Sequence, residues 1–216
     1  MKLIIFGASG GCGIELVAQA IERGHEVTAV ARASASFDAK TARTLRGDVT
    51  DAAFVANAIG GHDAVLSALG LRRANPKNPW SKLVSPVDFA SRTAEHIVAG
   101  MKHHGVTRVC AISAAGVAES AAAMNVTMKF LVATSKIGIA YHDLAVMEDV
   151  YAKGGVDYQC VRPTRLTDGS LTGDVRVVES FPTMAAISRA DVAHYMLEQI
   201  TKPRFDARLP TISHSM

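Results

Sequence analysis

The sequence predicts a doubly wound α/β fold built on a parallel sheet, and three observations carry that prediction. Apolar runs of strand length alternate with segments of helical period through the first two thirds of the chain. The runs VCAIS and YQCV are mostly apolar on consecutive residues, as strands are when helices cover both faces of a parallel sheet. A glycine-rich turn, Gly7-Ala8-Ser9-Gly10-Gly11-Cys12-Gly13, separates the first apolar run from the first helical segment.

The elements follow in order. Residues 2–6 read as a buried strand. Residues 14–23 carry Ile14, Val17, Ala18 and Ile21 at helical spacing, with Gly24 closing the helix. Residues 26–31 form a second strand, 45–47 a short third, 51–59 a helix and 63–68 a fourth strand. A polar loop over 70–85 holds Arg72, Arg73, Lys77 and the only tryptophan, Trp80; it reads either as a flap or as an ordinary solvated loop. Ser85-Pro86-Val87-Asp88 supplies a cap, a proline for the first turn and an acid, predicting a helix from there to about His104, stopped by Gly105. Residues 108–112 are the fifth strand, 142–153 a helix and 157–161 the sixth strand. The last third breaks the rhythm as a small annex: a strand over 176–179, a helix over 190–200 and a short strand near 209–212. Ser188-Arg189-Ala190-Asp191 reads as a capping box, which gives Asp191 a structural role. Residues 1–216 are expected to form a single domain.

Composition narrows the function. A chain of 216 residues that is 49% hydrophobic can bury a large core, and a net charge of +3 suits an anionic ligand without the basic runs of a nucleic-acid binder. Cys12, Cys110 and Cys160 have no CxxC spacing, so inert buried thiols are expected rather than disulfides or a metal site. The eight histidines are scattered, and no metal is expected. The opening apolar run is too short for a signal peptide and no stretch matches a membrane span, so a cytoplasmic protein with no membrane partner is the expectation.

The glycine turn answers to a phosphate. Gly7, Gly10 and Gly13 give G-x-x-G-x-x-G between a strand and a helix, a variant of the dinucleotide fingerprint. With Ser9, Gly11 and Cys12 completing the turn, free N–H groups and the positive end of the helix dipole face an incoming pyrophosphate. The second strand ends without the acid that would bond a ribose 2′-OH. Arg32 stands there instead, with Ser9, Ser34 and Ser36 in reach, which suits a 2′-phosphate and hence NADP(H). Asp48 and Val49 follow the third strand; Asp48 could accept from the adenine amino group or cap the next helix. Ala68-Leu69-Gly70 ends the fourth strand with small residues that admit the adenosine ribose and pyrophosphate.

Together GASGGCG, VTAVAR, RGDVTD, DAVLSALG, VTRVCAISAAG, GVDYQCVRP and ISRADVAHYML resemble the atypical short-chain dehydrogenases, in particular the family of biliverdin-IXβ reductase, also called NADPH-dependent flavin reductase. The resemblance covers nearly the whole chain. It implies a Rossmann fold, NADPH as cofactor, and hydride delivery to a flavin, a quinone or a tetrapyrrole, with FMN or FAD as substrate rather than prosthetic group. It also places Ser113 at the cofactor and substrate, Pro163 at the cofactor, and Arg165 where the family has a histidine. Two departures matter. Tyr141 and Tyr151 are followed four positions on by Ala145 and Gly155, so the Tyr-x-x-x-Lys acid pair of the wider superfamily is absent. The family's second hydroxyl after strand five is Ala114 here, which removes a polar group from the expected biliverdin site.

The expected activity is therefore reduction of a flat conjugated small molecule, with Ser113 and Arg165 as the catalytic side chains, in a monomer or homodimer. Arg165 either holds an anionic acceptor or pairs with Asp168 or Asp174. An NADP-binding sensor without turnover is the alternative. Met124, Met128 and Phe130 either wall an aromatic pocket or belong to the core.

Overall fold

The computed structural model describes residues 1–36 and 42–215. Its main sheet has eight strands in the order β3 (Arg43–Arg46), β2 (Glu26–Ala31), β1 (Lys2–Phe6), β4 (Ala64–Ser67), β5 (Arg108–Ile112), β6 (Asp157–Pro163), β10 (Thr211–Ser213) and β8 (Arg176–Val177). All pairings are parallel except β8 with β10 at the edge. β7 (Arg165–Thr167) and β9 (Ala186–Ser188) make a separate parallel pair.

Consecutive apolar residues place helices on both faces. In β1, Leu3 and Ile5 pack with α1 (Gly11–Glu22) and α6 (Arg189–Thr201). Ile4 and Phe6 pack on the other face with α2 (Ala52–Ile59), α3 (Phe89–His104) and α5 (Ile137–Lys153). A strand apolar at every position fills both layers, which confirms the doubly wound fold. Cys12, Cys110 and Cys160 are buried free thiols.

Three expectations are corrected. The annex is not wholly separate: β10 joins the main sheet beside β6, because Ile212 belongs to the core shared by α1 and α6. The helix expected from Ser85 starts at Phe89. Ser85 Oγ accepts instead from Arg72 N (2.8 Å), and Asp88 pairs with Arg92 (2.5 Å). The cap comes from α5, whose buried Asp143 accepts from Ala90 N (2.7 Å), Ser91 N (3.0 Å) and Ser91 Oγ (2.6 Å). Finally, a 3-10 turn over Ala118–Ala123 and α4 (Val126–Thr134) precede α5, which begins five residues before the expected start. Met124 is buried, but α4 buries no residue and Phe130 is 66% exposed, so that stretch is not core.

Candidate functional site

The carboxyl ends of β1 and β4 diverge at the point where strand order reverses, which in open α/β sheets is where ligands bind. A cleft of about 480 Å³ lies there. Gly7, Ser9 and Gly10 form its floor, Arg32 with Asp48 and Val49 one end, and Ala68, Leu69 and Gly70 a wall. Nine of the residues expected at a cofactor therefore meet around one crevice.

The glycines there differ in what they accommodate. Gly7 has φ +79°, and a Cβ on it would stand 2.7 Å from Ala68 O. A Cβ on Gly13 would stand 2.1 Å from Gly7 O. Both are demanded by the protein's own packing. Gly10 is different: its backbone is extended, and a Cβ there would meet only Gly7 O, at 3.3 Å. Gly10 lines the cleft, so a side chain there would press on Gly7 O only mildly but would project at the cleft floor.

Gly10 N donates to Gly7 O (2.9 Å) and Ile14 N to Gly10 O (2.8 Å), closing the turn. The N–H groups of Gly11, Cys12 and Gly13 meet no protein acceptor among the described residues. The first turn of α1 contains no acid, and Gly10 offers no side-chain cap. The helix therefore presents an unneutralised positive end, the arrangement that binds phosphate. Gly11 and Cys12 stand at that end without lining the cleft, and burial pushes the Cys12 thiol up to about 11, so it is no nucleophile.

Arg32 is exposed at the end of β2, and among the described residues no carboxylate pairs with it. The turn after it is held by Arg46, whose Nη1 donates to Ala35 O (2.8 Å) and, more weakly, to Arg32 O (3.4 Å). Asp48 does not cap α2. Asp51 does, accepting from Ala53 N (2.9 Å) and Phe54 N (3.3 Å). Hydrogen bonds from Thr50 N and Oγ1 to Asp48 Oδ1 hold the Asp48 carboxyl below the usual range.

Sequence reasoning missed several neighbours of this crevice. Arg72, Val84, Ser85 and Pro86 line it, because the loop after Gly70 folds back on itself: Val84 N donates to Arg72 O (2.9 Å), and Arg73 bridges antiparallel to Leu83. Trp80 Nε1 donates to Thr134 O (3.0 Å), docking the same loop on the end of α4. The Asp48-Val49-Thr50 turn was a local signal; the docking of Arg72 had none.

The other expected residues lie past β5. Ser113 N donates to Val161 O (2.7 Å), while its hydroxyl is buried and has no partner among the described residues. Pro163 O accepts from Ala115 N (3.0 Å). Arg165 is exposed on β7 and makes no ion pair among the described residues; Asp168 and Asp174 pair with Arg189 and Arg176 instead. None of Ser113, Pro163 and Arg165 lines the cleft. This region rests on buried charge. Arg162, 2% exposed, donates from Nε to Glu148 Oε1 (2.8 Å) and from Nη1 to Glu119 Oε1 (2.5 Å). Asp191 is fully buried. It accepts from Ser188 Oγ (2.5 Å), Thr172 N (2.9 Å) and Gly173 N (2.7 Å), and His214 Nε2 lies 2.8 Å away. Burial pushes its carboxyl up, but these bonds outweigh burial and hold it at about 2. Its structural role is as expected.

Residues 7–203 match the NAD(P)H-binding family. YwnB of Bacillus subtilis is 40% identical over 70 residues, a match spanning 32% of each chain. Among solved structures, ChuY, an anaerobillin reductase of Escherichia coli O157:H7, aligns with a TM-score of 0.79 at 22% identity over 98% of this chain and 96% of its own. SP1627 of Streptococcus pneumoniae, a proposed NADH-flavin reductase, aligns over 100% of both chains with a TM-score of 0.75 at 22% identity. At such identities the likeness to the two structures is one of fold. Among the described residues no helix is long and apolar enough to cross a membrane.

Proposed function

The chain belongs to the NAD(P)H-binding family, and on that premise we propose that it is an NADPH-dependent reductase acting on a planar conjugated acceptor, a flavin, quinone or tetrapyrrole. The observation that carries the reading is the uncapped, acid-free N-terminus of α1, opening on a cleft that runs from Gly10 to Arg32, with which no carboxylate pairs among the described residues. The fit to a dinucleotide is physical: a positive helix end for the pyrophosphate, a residue without a side chain at Gly10 on the cleft floor, and a guanidinium for the 2′-phosphate.

When bound, the dihydronicotinamide supplies the hydride. The protein's own residues bind and orient. Gly7, Ser9, Gly10, Gly11 and Cys12 present the turn to the pyrophosphate, and Arg32 holds the 2′-phosphate. Asp48, with Oδ1 occupied by Thr50, keeps Oδ2 for the adenine amino group beside Val49. Ala68, Leu69 and Gly70 admit the ribose, and Pro163 borders the nicotinamide. A buried hydroxyl without a partner costs about 1–3 kcal/mol, so Ser113 Oγ is assigned to the nicotinamide amide or the acceptor, which would satisfy it. Arg165 holds an anionic oxygen of the acceptor.

The acceptor class follows from what the chain does not place at the site. No Tyr-Lys acid pair is present, and burial pushes the Tyr141 phenol up. A conjugated acceptor takes the negative charge of the added hydride into its own π system, and water completes protonation. The protein then supplies proximity and orientation. Resemblance to the biliverdin-IXβ reductase and flavin reductase family, together with the fold shared with ChuY and SP1627, supports this class.

NADPH oxidation measured against FMN, FAD, quinones and tetrapyrroles tests the reading. Turnover with at least one is expected. Tight NADPH binding with no turnover across the panel would make the protein a sensor instead. Gly10→Val is the matching variant: its Cβ would stand 3.3 Å from Gly7 O, so the turn must give by a few tenths of an ångström, and it should abolish NADPH binding, because the added methyls take the place of the pyrophosphate; a melting curve separates that loss from a loss of fold.

A further inference from the structure

The glycine turn carries a second cation that comes from the far end of the chain. Arg189 opens α6 directly after β9, yet its side chain reaches Gly11, the first residue of α1. A Cβ on Gly11 would stand 2.6 Å from Arg189 Cδ and 2.7 Å from Arg189 Nε, so the arginine stem fills the place a side chain would take. Arg189 Nη1 pairs with Asp168, the residue after β7, which is 91% exposed.

A guanidinium in that place is opposed by the helix it touches. The N-terminus of α1 carries a partial positive charge, and a cation beside it is unfavourable unless an anion sits with both. α1 supplies none: its first turn has no acid, and Gly11, Cys12 and Gly13 leave their N–H groups without protein acceptors among the described residues. The field of Arg189 reaches into the turn, where it opposes the effect of burial on the Cys12 thiol. Among the described residues Asp168 is the one carboxylate that pairs with Arg189, and it does so from solvent. An ion pair that exposed changes an equilibrium by at most about fivefold. A guanidinium bonded to a phosphate oxygen is worth about 10- to 150-fold, and a phosphate would answer the helix end as well.

We propose that Arg189 is a diphosphate-binding residue of this site and that Asp168 is its counter-ion in the ligand-free protein, displaced when the diphosphate arrives. The inference rests on reading the cleft as a dinucleotide site, and it extends that site from the glycine turn to the β7–β9 pair that carries Arg165. Affinity for the cofactor is then set partly by a carboxylate that never touches it. Removing the carboxylate should tighten binding.

The test is titration of inorganic pyrophosphate and, separately, NADPH into wild type, Arg189→Ala, Arg189→Lys, Asp168→Asn and the Arg189→Ala/Asp168→Asn double variant, with melting curves for each. Arg189→Ala should weaken both ligands about tenfold or more, with Arg189→Lys between it and wild type. Asp168→Asn should tighten both about two- to fivefold. In the double variant the Asp168→Asn gain should vanish. Unchanged pyrophosphate affinity in Arg189→Ala overturns the proposal, as does a gain from Asp168→Asn that survives without Arg189. The tightening arm cannot come from a variant that fails to fold. If these shifts appear and no acceptor oxidises NADPH, the reductase reading fails and this one stands. If NADPH turns over but Arg189→Ala binds it like wild type, the reverse holds.

Discussion

The carboxyl edge of the sheet is built in two ways. Around β1, β2 and β4 the crevice is made of backbone: a turn that two glycines fit and no other residue would, three N–H groups without acceptors among the described residues, and a wall at Ala68 that approaches within Cβ-excluding distance of Gly7. Past β5 the edge is made of side chains held by one another. Arg162 joins Glu119 and Glu148, and Asp191 gathers Ser188, Thr172, Gly173 and His214. A backbone cradle binds what every dinucleotide shares. An edge made of side chains can be re-equipped at the positions its buried pairs do not use, and it is there that Ala114 and Arg165 depart from the family pattern. The contrast predicts that charge is costly to remove past β5 and cheap to remove beside β2, where it serves a ligand.

The largest expected effect is Arg162→Met. It leaves Glu148, itself buried, without its counter-charge and should cost about 3–5 kcal/mol, a fall of roughly 10 °C in melting temperature. Arg46→Met, at the exposed end of β3, where the side chain holds the turn after β2, should cost under about 1 kcal/mol; equal losses from the two would break the contrast. Next is Arg32→Ala, which should weaken NADPH by about 1.5–3 kcal/mol while leaving NADH affinity and the melting temperature as they are. Equal binding of the two cofactors by the wild type would remove Arg32 from the site.

A smaller effect is set by pH. The Asp191 carboxyl sits at about 2 when folded, below its ordinary 3.8. A depressed pKa contributes stability that is complete above the unfolded value and is lost as pH falls through the folded one. About 2 kcal/mol should therefore disappear between pH 4 and pH 2 in urea melts, and Asp191→Asn should flatten that slope. An unchanged slope would show that the buried cluster is not held by charge. The smallest effect is expected of Arg165→Ala. It should raise KM for FMN about 5- to 30-fold, leave an uncharged quinone alone and barely change NADPH affinity. Loss of NADPH affinity would assign Arg165 to the cofactor instead.

The sequence by itself determined the alternation of strands and helices, the glycine turn, Arg32 at the end of β2, the Ser188 cap of the last helix and the structural role of Asp191. Each depends on residues within a few positions of one another: the period of an element, the spacing inside a turn, the four residues of a cap. Tertiary structure decided the rest. Ser85 and Pro86 look like a helix start, but Ser85 is taken by Arg72 and the cap is delivered by Asp143, 52 residues after Ser91. The docking of Trp80 on Thr134 spans 54 residues. Arg189 reaches a turn at the opposite end of the chain. Such contacts leave no periodic trace, because they are made by side chains whose neighbours are chosen when the sheet assembles. What a chain does with its backbone is written locally, and what it does with its side chains waits for packing.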